Sequence, residues 1–94
     1  MDREELIKLI QTKEIIGVDL SGQKLEKIDF SGCRIERTSF KGCEMTHCRF
    51  RNAKISWSDF RYAEIQHGTF EGAEIEFSDF YRAFIDGVVI FSGS

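Results

Sequence analysis

Every fifth residue from Ile15 to Ile90 is a large apolar side chain: Ile15, Leu20, Leu25, Phe30, Ile35, Phe40, Met45, Phe50, Ile55, Phe60, Ile65, Phe70, Ile75, Phe80, Ile85 and Ile90. The series has no miss. A helix repeats every 3.6 residues and a strand every two, so a period of five belongs to neither. A short repeat sustained over most of a chain predicts a stacked, quasi-one-dimensional architecture. A second series runs two residues ahead of the first: Val18, Gln23, Ile28, Cys33, Thr38, Cys43, Cys48, Ala53, Ser58, Ala63, Gly68, Ala73, Ser78, Ala83 and Val88. These are mostly small. Two positions in five can both point inward only if one is small, which predicts a tightly wound coil. The other three are mainly Asp, Glu, Lys, Arg, Ser and Gly, as outward positions should be.

Residues 1–14 break the rule. Leu6, Ile7, Leu9 and Ile10 fall on one side of a helical wheel, with Asp2, Glu4 and Glu5 in the first turn, where the helix dipole favours anions. The expectation is a short helix over 1–14 that covers the N-terminal end of a solenoid over 15–94. An open end would expose apolar centres and unpaired backbone, so a cap has a physical purpose. A helix for a partner or a membrane surface is the alternative, although its acidity is wrong for anionic lipid.

The stretches Ala53-Lys54-Ile55-Ser56-Trp57, Ala63-Glu64-Ile65-Gln66-His67 and Ala73-Glu74-Ile75-Glu76-Phe77 resemble the repeats of the pentapeptide repeat family: small, polar, Leu or Phe, then two variable residues. The resemblance covers roughly residues 15 to 90. It implies an all-β fold, a right-handed quadrilateral β-helix of about four coils with four pentapeptides to each coil of twenty residues. With the helix over 1–14, the expected fold is that β-helix carrying a short N-terminal capping α-helix. Gln23 and Ile28 are poor small residues, so the first coil is expected to be less regular. At a strand spacing of about 4.8 Å, four coils make a rod roughly 20 Å long.

Ninety-four residues without a proline suit one domain whose backbone donors are nearly all needed for ladder bonds. No apolar run is long enough for a membrane span and no signal-peptide stretch opens the chain, so no membrane association is expected. Cys33, Cys43 and Cys48 all fall on inward small positions, odd in number, and read as reduced core residues of a cytoplasmic protein. The alternative, a disulfide or metal site, lacks the spacing of zinc ligand pairs. No phosphate-binding glycine loop, His-Glu-x-x-His or Gly-x-Ser-x-Gly is present. No catalytic residue, cofactor or metal is therefore expected, and a filled square rod offers no enclosed site for an enzyme.

If the coil is twenty residues, side chains twenty apart stack in columns. Arg37, Trp57 and Phe77 form one and Tyr62 and Arg82 another; these five are candidates for binding a partner, with a stabilising ladder as the plainer reading. Lys27, His47 and His67 form a third, readable as a solvated ladder or as a weak metal or pH-sensing site. Asp19, Ser39, Asp59 and Asp79 form a fourth. Its aspartates either bond backbone at the corners or make a stripe imitating phosphates. Charge divides unevenly: residues 15–54 carry eight Lys/Arg against five Asp/Glu, whereas residues 55–94 carry two against seven.

Phe84, Val89 and Phe91 occupy outward positions near the C-terminus, and with Ile90 they make the candidate self-association surface. That end is either buried against another copy, bound to something else, or continued by further chain. The family resemblance adds that members dimerise through a C-terminal coil. The leading expectation is thus a non-enzymatic interaction or scaffold module, homodimeric through its C-terminal end. The alternative implied by the resemblance is a DNA mimic acting on a type II topoisomerase such as gyrase, with Asp19, Asp59 and Asp79 as its stripe. End-to-end assembly into rods is a third. Direct nucleic-acid binding is not expected, since the basic half has no concentrated stripe with stacking aromatics.

Overall fold

Each pentapeptide carries one large inward side chain and then turns a corner; four such turns close a square coil, and the next coil lies on top of it. The computed structural model describes residues 1–90. In chain order it comprises α1 (Arg3–Gln11), β1 (Glu14–Ile16), β2 (Lys24–Glu26), β3 (Arg34–Glu36), β4 (Glu44–Thr46), β5 (Lys54–Ser56), β6 (Glu64–Gln66), β7 (Thr69–Phe70), β8 (Glu74–Glu76), β9 (Phe84–Asp86) and β10 (Val89–Ile90). Every strand pairing is parallel and joins residues twenty apart, such as Ile15 with Ile35 and Ile35 with Ile55. β1, β3, β5 and β8 make the first face of the square, and β2, β4, β6 and β9 the third. The second face is a ladder of single bridges, Asp19 to Ser39 to Asp59 to Asp79. The fourth runs Asp29 to Arg49 to Thr69 and ends in the pairing of β7 with β10.

The interior is filled by the five-residue series. Phe30, Phe50 and Phe70 stack in one column with ring centroids 4.7 Å apart. Phe40, Phe60 and Phe80 stack in the next at 4.6 Å. Neighbouring columns meet edge to face at 5.7–6.5 Å, both arrangements that suit the aromatic quadrupole. Each buried Phe or Ile contributes on the order of 1.5–3 kcal/mol. The smaller inward series fills the remaining space and satisfies its own polar atoms. Thr38 Oγ1 donates to the Ile15 carbonyl at 3.1 Å, and the thiols of Cys43 and Cys48 point to the carbonyls of Leu20 and Leu25 at 2.9 and 3.0 Å. Burial pushes the Cys43 thiol up to about 11, so it stays protonated. All three cysteines are free and buried.

The first coil is as regular as the rest, contrary to the expectation from Gln23 and Ile28. β2 pairs in register with β4, and Ile28 is 2% exposed. Ile28 occupies the space under Cys48, in a column that narrows to Gly68 two coils on.

α1 lies against this first coil. Asp2 caps it, accepting the Glu5 amide at 2.9 Å, and Thr12 closes it by donating from its hydroxyl to the Leu9 carbonyl at 2.6 Å. Leu6 enters the core, with Leu9 and Ile10 packed beside it, one stripe at spacings of three and four. Arg3 fastens the helix by donating to the Glu26 carbonyl at 2.9 Å. Ile7 departs from the expected apolar side. It stands 41% exposed, because one residue beyond Leu6 is a rotation of about 100° off the buried stripe. At the opposite end Ile75 and Phe80 are only partly buried and Ile85 is exposed.

Candidate interaction surfaces

The corners set the outer surface. Every fifth residue from Gly17 to Gly87 has positive φ, the left-handed region that glycine enters freely and other residues enter at a cost. In the lower coils the corner residue is mostly glycine: Gly17, Gly22, Gly32 and Gly42. In the upper coils it is glycine only at Gly72 and Gly87, and otherwise Asn52, Trp57, Tyr62, His67, Phe77 or Arg82, each of these with φ between 53° and 61°. Trp57 and His67 each stack on the corner residue one coil away, Phe77 and His47 respectively.

Trp57 and Phe77 stack face to face at 4.7 Å with 58% and 68% of their surfaces exposed. The corner between the first and second faces thus carries a large bare aromatic surface. Arg37 is in the same column but makes no cation–π contact with Trp57 among the described residues. The expected stacking of Arg82 on Tyr62 is also replaced. The Arg82 guanidinium lies 5.4 Å from the centre of the Tyr81 ring, while Tyr62 meets Tyr81 edge to face at 6.0 Å. Columns spaced by twenty residues place Arg61 beneath Tyr81 and hide its contact with Arg82, the next residue in the chain. The outward phase of Tyr81, next to a corner, was the available signal.

Asp19, Ser39, Asp59 and Asp79 do form one column along the second face. Their side chains are turned to the local backbone: Asp19, Asp59 and Asp79 accept the amides of Ser21, Arg61 and Tyr81, each at 2.9 Å. Asp59 also takes a bidentate contact from Arg61, at 2.9 and 2.8 Å. Hydrogen bonding from Ser21 holds the Asp19 carboxyl below its ordinary range, and the bond from Arg61 does the same for Asp59. The carboxylates therefore have a structural task in closing the corners.

The corner between the third and fourth faces carries Lys27, His47 and His67, the two imidazoles stacked at 5.4 Å. Beside them runs a groove of about 740 Å³, open to solvent and lined also by Asp29, Arg49, Gly68 and Thr69. Among the described residues no group of three His, Cys, Asp or Glu could hold a metal ion.

At the C-terminal end Phe84 is 54% exposed at the start of β9. Val89 and Ile90 are placed by their backbone, in β10, and Phe91 lies outside the described residues. No helix among the described residues is long and apolar enough to cross a membrane.

A profile of pentapeptide repeat regions matches residues 14–90. No curated protein matches the chain by sequence. Among solved structures the chain is similar to HetL, a pentapeptide repeat protein involved in heterocyst differentiation regulation from the cyanobacterium Nostoc, at 14% identity and a TM-score of 0.55. That likeness covers 86% of this chain and 48% of HetL. It is also similar to QnrB1, a plasmid-mediated fluoroquinolone resistance protein, at 19% identity and a TM-score of 0.52, covering 79% of this chain and 54% of QnrB1. The chain spans about half the length of either, and identities this low speak to the fold alone. The fold, the five-residue phase and the match over 14–90 together place this chain in the pentapeptide repeat family.

Proposed function

We propose that the chain is a non-enzymatic interaction module of the cytoplasm whose rigid coil pairs with a second copy through its C-terminal end. The observation that carries this reading is the exposure of Phe84 and Ile85 on β9, the last strand of the third face, while α1 covers the opposite end. A bare strand edge beside apolar side chains is a template for pairing, and a two-fold pairing would use the same patch on both copies. Val89, Ile90 and Phe91 follow in the sequence and complete the expected self-association set. The Trp57–Phe77 corner, with Arg37 beneath it, and the group of Tyr62, Tyr81 and Arg82 then remain free for a different protein partner. Light scattering over a tenfold concentration range tests the pairing. Twice the chain mass is expected, falling toward the single-chain mass in Phe84→Ser. A single-chain mass throughout, or a doubled mass that Phe84→Ser leaves unchanged, would refute it.

A second reading, a DNA mimic directed at gyrase, is favoured by the acidic column of Asp59 and Asp79 on the acidic half of the rod, and by the fold shared with a fluoroquinolone resistance protein. The engagement of those carboxylates with their own corners, and of Asp59 with Arg61, weighs against it. It predicts inhibition of DNA supercoiling at micromolar protein; supercoiling unaffected at tenfold excess over gyrase would exclude it.

A further inference from the structure

The groove along the third and fourth faces gathers Lys27, His47, His67 and Arg49, with the Thr69 hydroxyl at its edge. Elsewhere on the surface cations meet carboxylates one coil away: Lys24 with Glu44 at 3.7 Å, Arg34 with Glu14 at 3.6 Å and Arg51 with Glu71 at 3.6 Å. Neither Lys27, Arg49 nor either imidazole makes an ion pair among the described residues. The single carboxylate lining the groove, Asp29, accepts the Ser31 amide at 2.9 Å. It lies one coil below Arg49; hydrogen bonding from Ser31, helped by the Arg49 charge, holds it below its ordinary range, yet Asp29 and Arg49 form no direct ion pair among the described residues.

Two glycines fit the backbone and the imidazole closely at this corner. A Cβ on Gly68 would fall 2.3 Å from the Cys48 carbonyl oxygen, so no side chain can stand beside His67 at that point. A Cβ on Gly87 would come within 2.7 Å of a His67 ring nitrogen, so the imidazole takes the place that the next corner leaves bare. Thr69 Oγ1 accepts the Glu71 amide at 3.0 Å, which leaves its hydrogen to donate. The walls are thus rich in donors.

We propose that this groove binds a phosphate group, with the Lys27 ammonium and Arg49 guanidinium as its charge partners and the two imidazoles and the Thr69 hydroxyl as further donors. The guanidinium offers a bidentate fork to two phosphate oxygens, and the ammonium adds a point charge. The site borders the last coil, since Thr69 pairs with Val89, but its charge partners Arg49 and Lys27 lie one and two coils further down. The phosphate is either free or carried on a phosphorylated side chain of a partner protein.

The chain's two histidines are both in the groove, so their ring proton signals report on it alone. The experiment titrates the full chain, followed by proton NMR, with inorganic phosphate, with sodium chloride at matched ionic strength, and with a phosphoserine peptide beside its unphosphorylated twin. Both histidine signals are expected to move and saturate with phosphate and not with chloride. Arg49→Gln, an exposed change that leaves the core untouched, should weaken that binding about tenfold or more. Tighter binding of the phosphopeptide than of inorganic phosphate assigns the source to a phosphorylated partner; the reverse order assigns it to free phosphate. Shifts that chloride reproduces, shifts that Arg49→Gln leaves unchanged, or signals that do not move would overturn the proposal.

Discussion

The two ends of this rod are built from the same repeat and treated in opposite ways. At the N-terminal end Leu6 of α1 is 1% exposed, and the centres of the first coil beneath the helix, Ile15 and Leu20, are sealed at 0%. At the other end the corresponding centres loosen step by step: Ile75 and Phe80 are partly buried and Ile85 is 41% exposed. A repeat cannot bury its own apolar centres; the next coil or a cap must do so. The difference lies in what is stacked on each end, since the Ile or Leu in the repeat is the same. The corners differ as well. The lower coils turn more often on glycine, and the upper coils more often carry bulky residues through the same backbone conformation, where Trp57 and Phe77 stack.

The contrast between ends can be broken by the same operation applied to each. Leu6→Ala removes a side chain held at 1% exposure and should cost about 2–5 kcal/mol, the range for buried leucines. Phe84→Ser removes one that is 54% exposed and should change stability by within about 0.5 kcal/mol in dilute protein. Urea unfolding of both variants at micromolar concentration measures the pair. If Phe84→Ser proves as costly as Leu6→Ala, the C-terminal end is covered in solution, and raising the concentration of the parent should then raise its midpoint by mass action.

The contrast between ends also marks how far the sequence could be read. The inward series was legible through Phe70, since each of its members from Ile15 to Phe70 is buried, and the phase identifies them without any structure. The phase cannot tell that Ile85 is 41% exposed, because burial of a centre is decided by its neighbour. The helix was legible as an element but not in its facing: Leu6 and Ile7 are equally apolar, and only the docking of α1 on β1 selects Leu6. Among outward residues, columns spaced by twenty predicted the Trp57–Phe77 and His47–His67 stacks. They missed Arg82 over Tyr81, a contact between chain neighbours. The groove was invisible for a different reason: it lies between two columns, Lys27–His47–His67 at the corner and Asp29–Arg49–Thr69 on the fourth face, and no single column contains it.

The corners offer the finer test, with the smallest effect. Trp57 sits at φ 53°, where a side chain costs about 1–2 kcal/mol, and its stack on Phe77 returns about 0.5–1.5 kcal/mol. Trp57→Ala gives up the stack and keeps the backbone cost. Trp57→Gly gives up the stack and removes that cost, as Gly17 does in the same column two coils below. Trp57→Gly should therefore be more stable than Trp57→Ala by about 1 kcal/mol, the reverse of the order that glycine and alanine show in helices and strands. Thermal or urea unfolding of the two variants, side by side with the parent, reads the difference directly. An alanine variant at least as stable as the glycine variant would mean that the corner relaxes out of the left-handed region when its ring is removed. The upper coils would then be held in shape by their aromatic ladder, whereas the lower coils rely on glycine. If glycine is better, the backbone dictates the corner in both halves, and the exposed Trp57 and Phe77 rings are retained in spite of a local cost, as a surface kept for a partner would be.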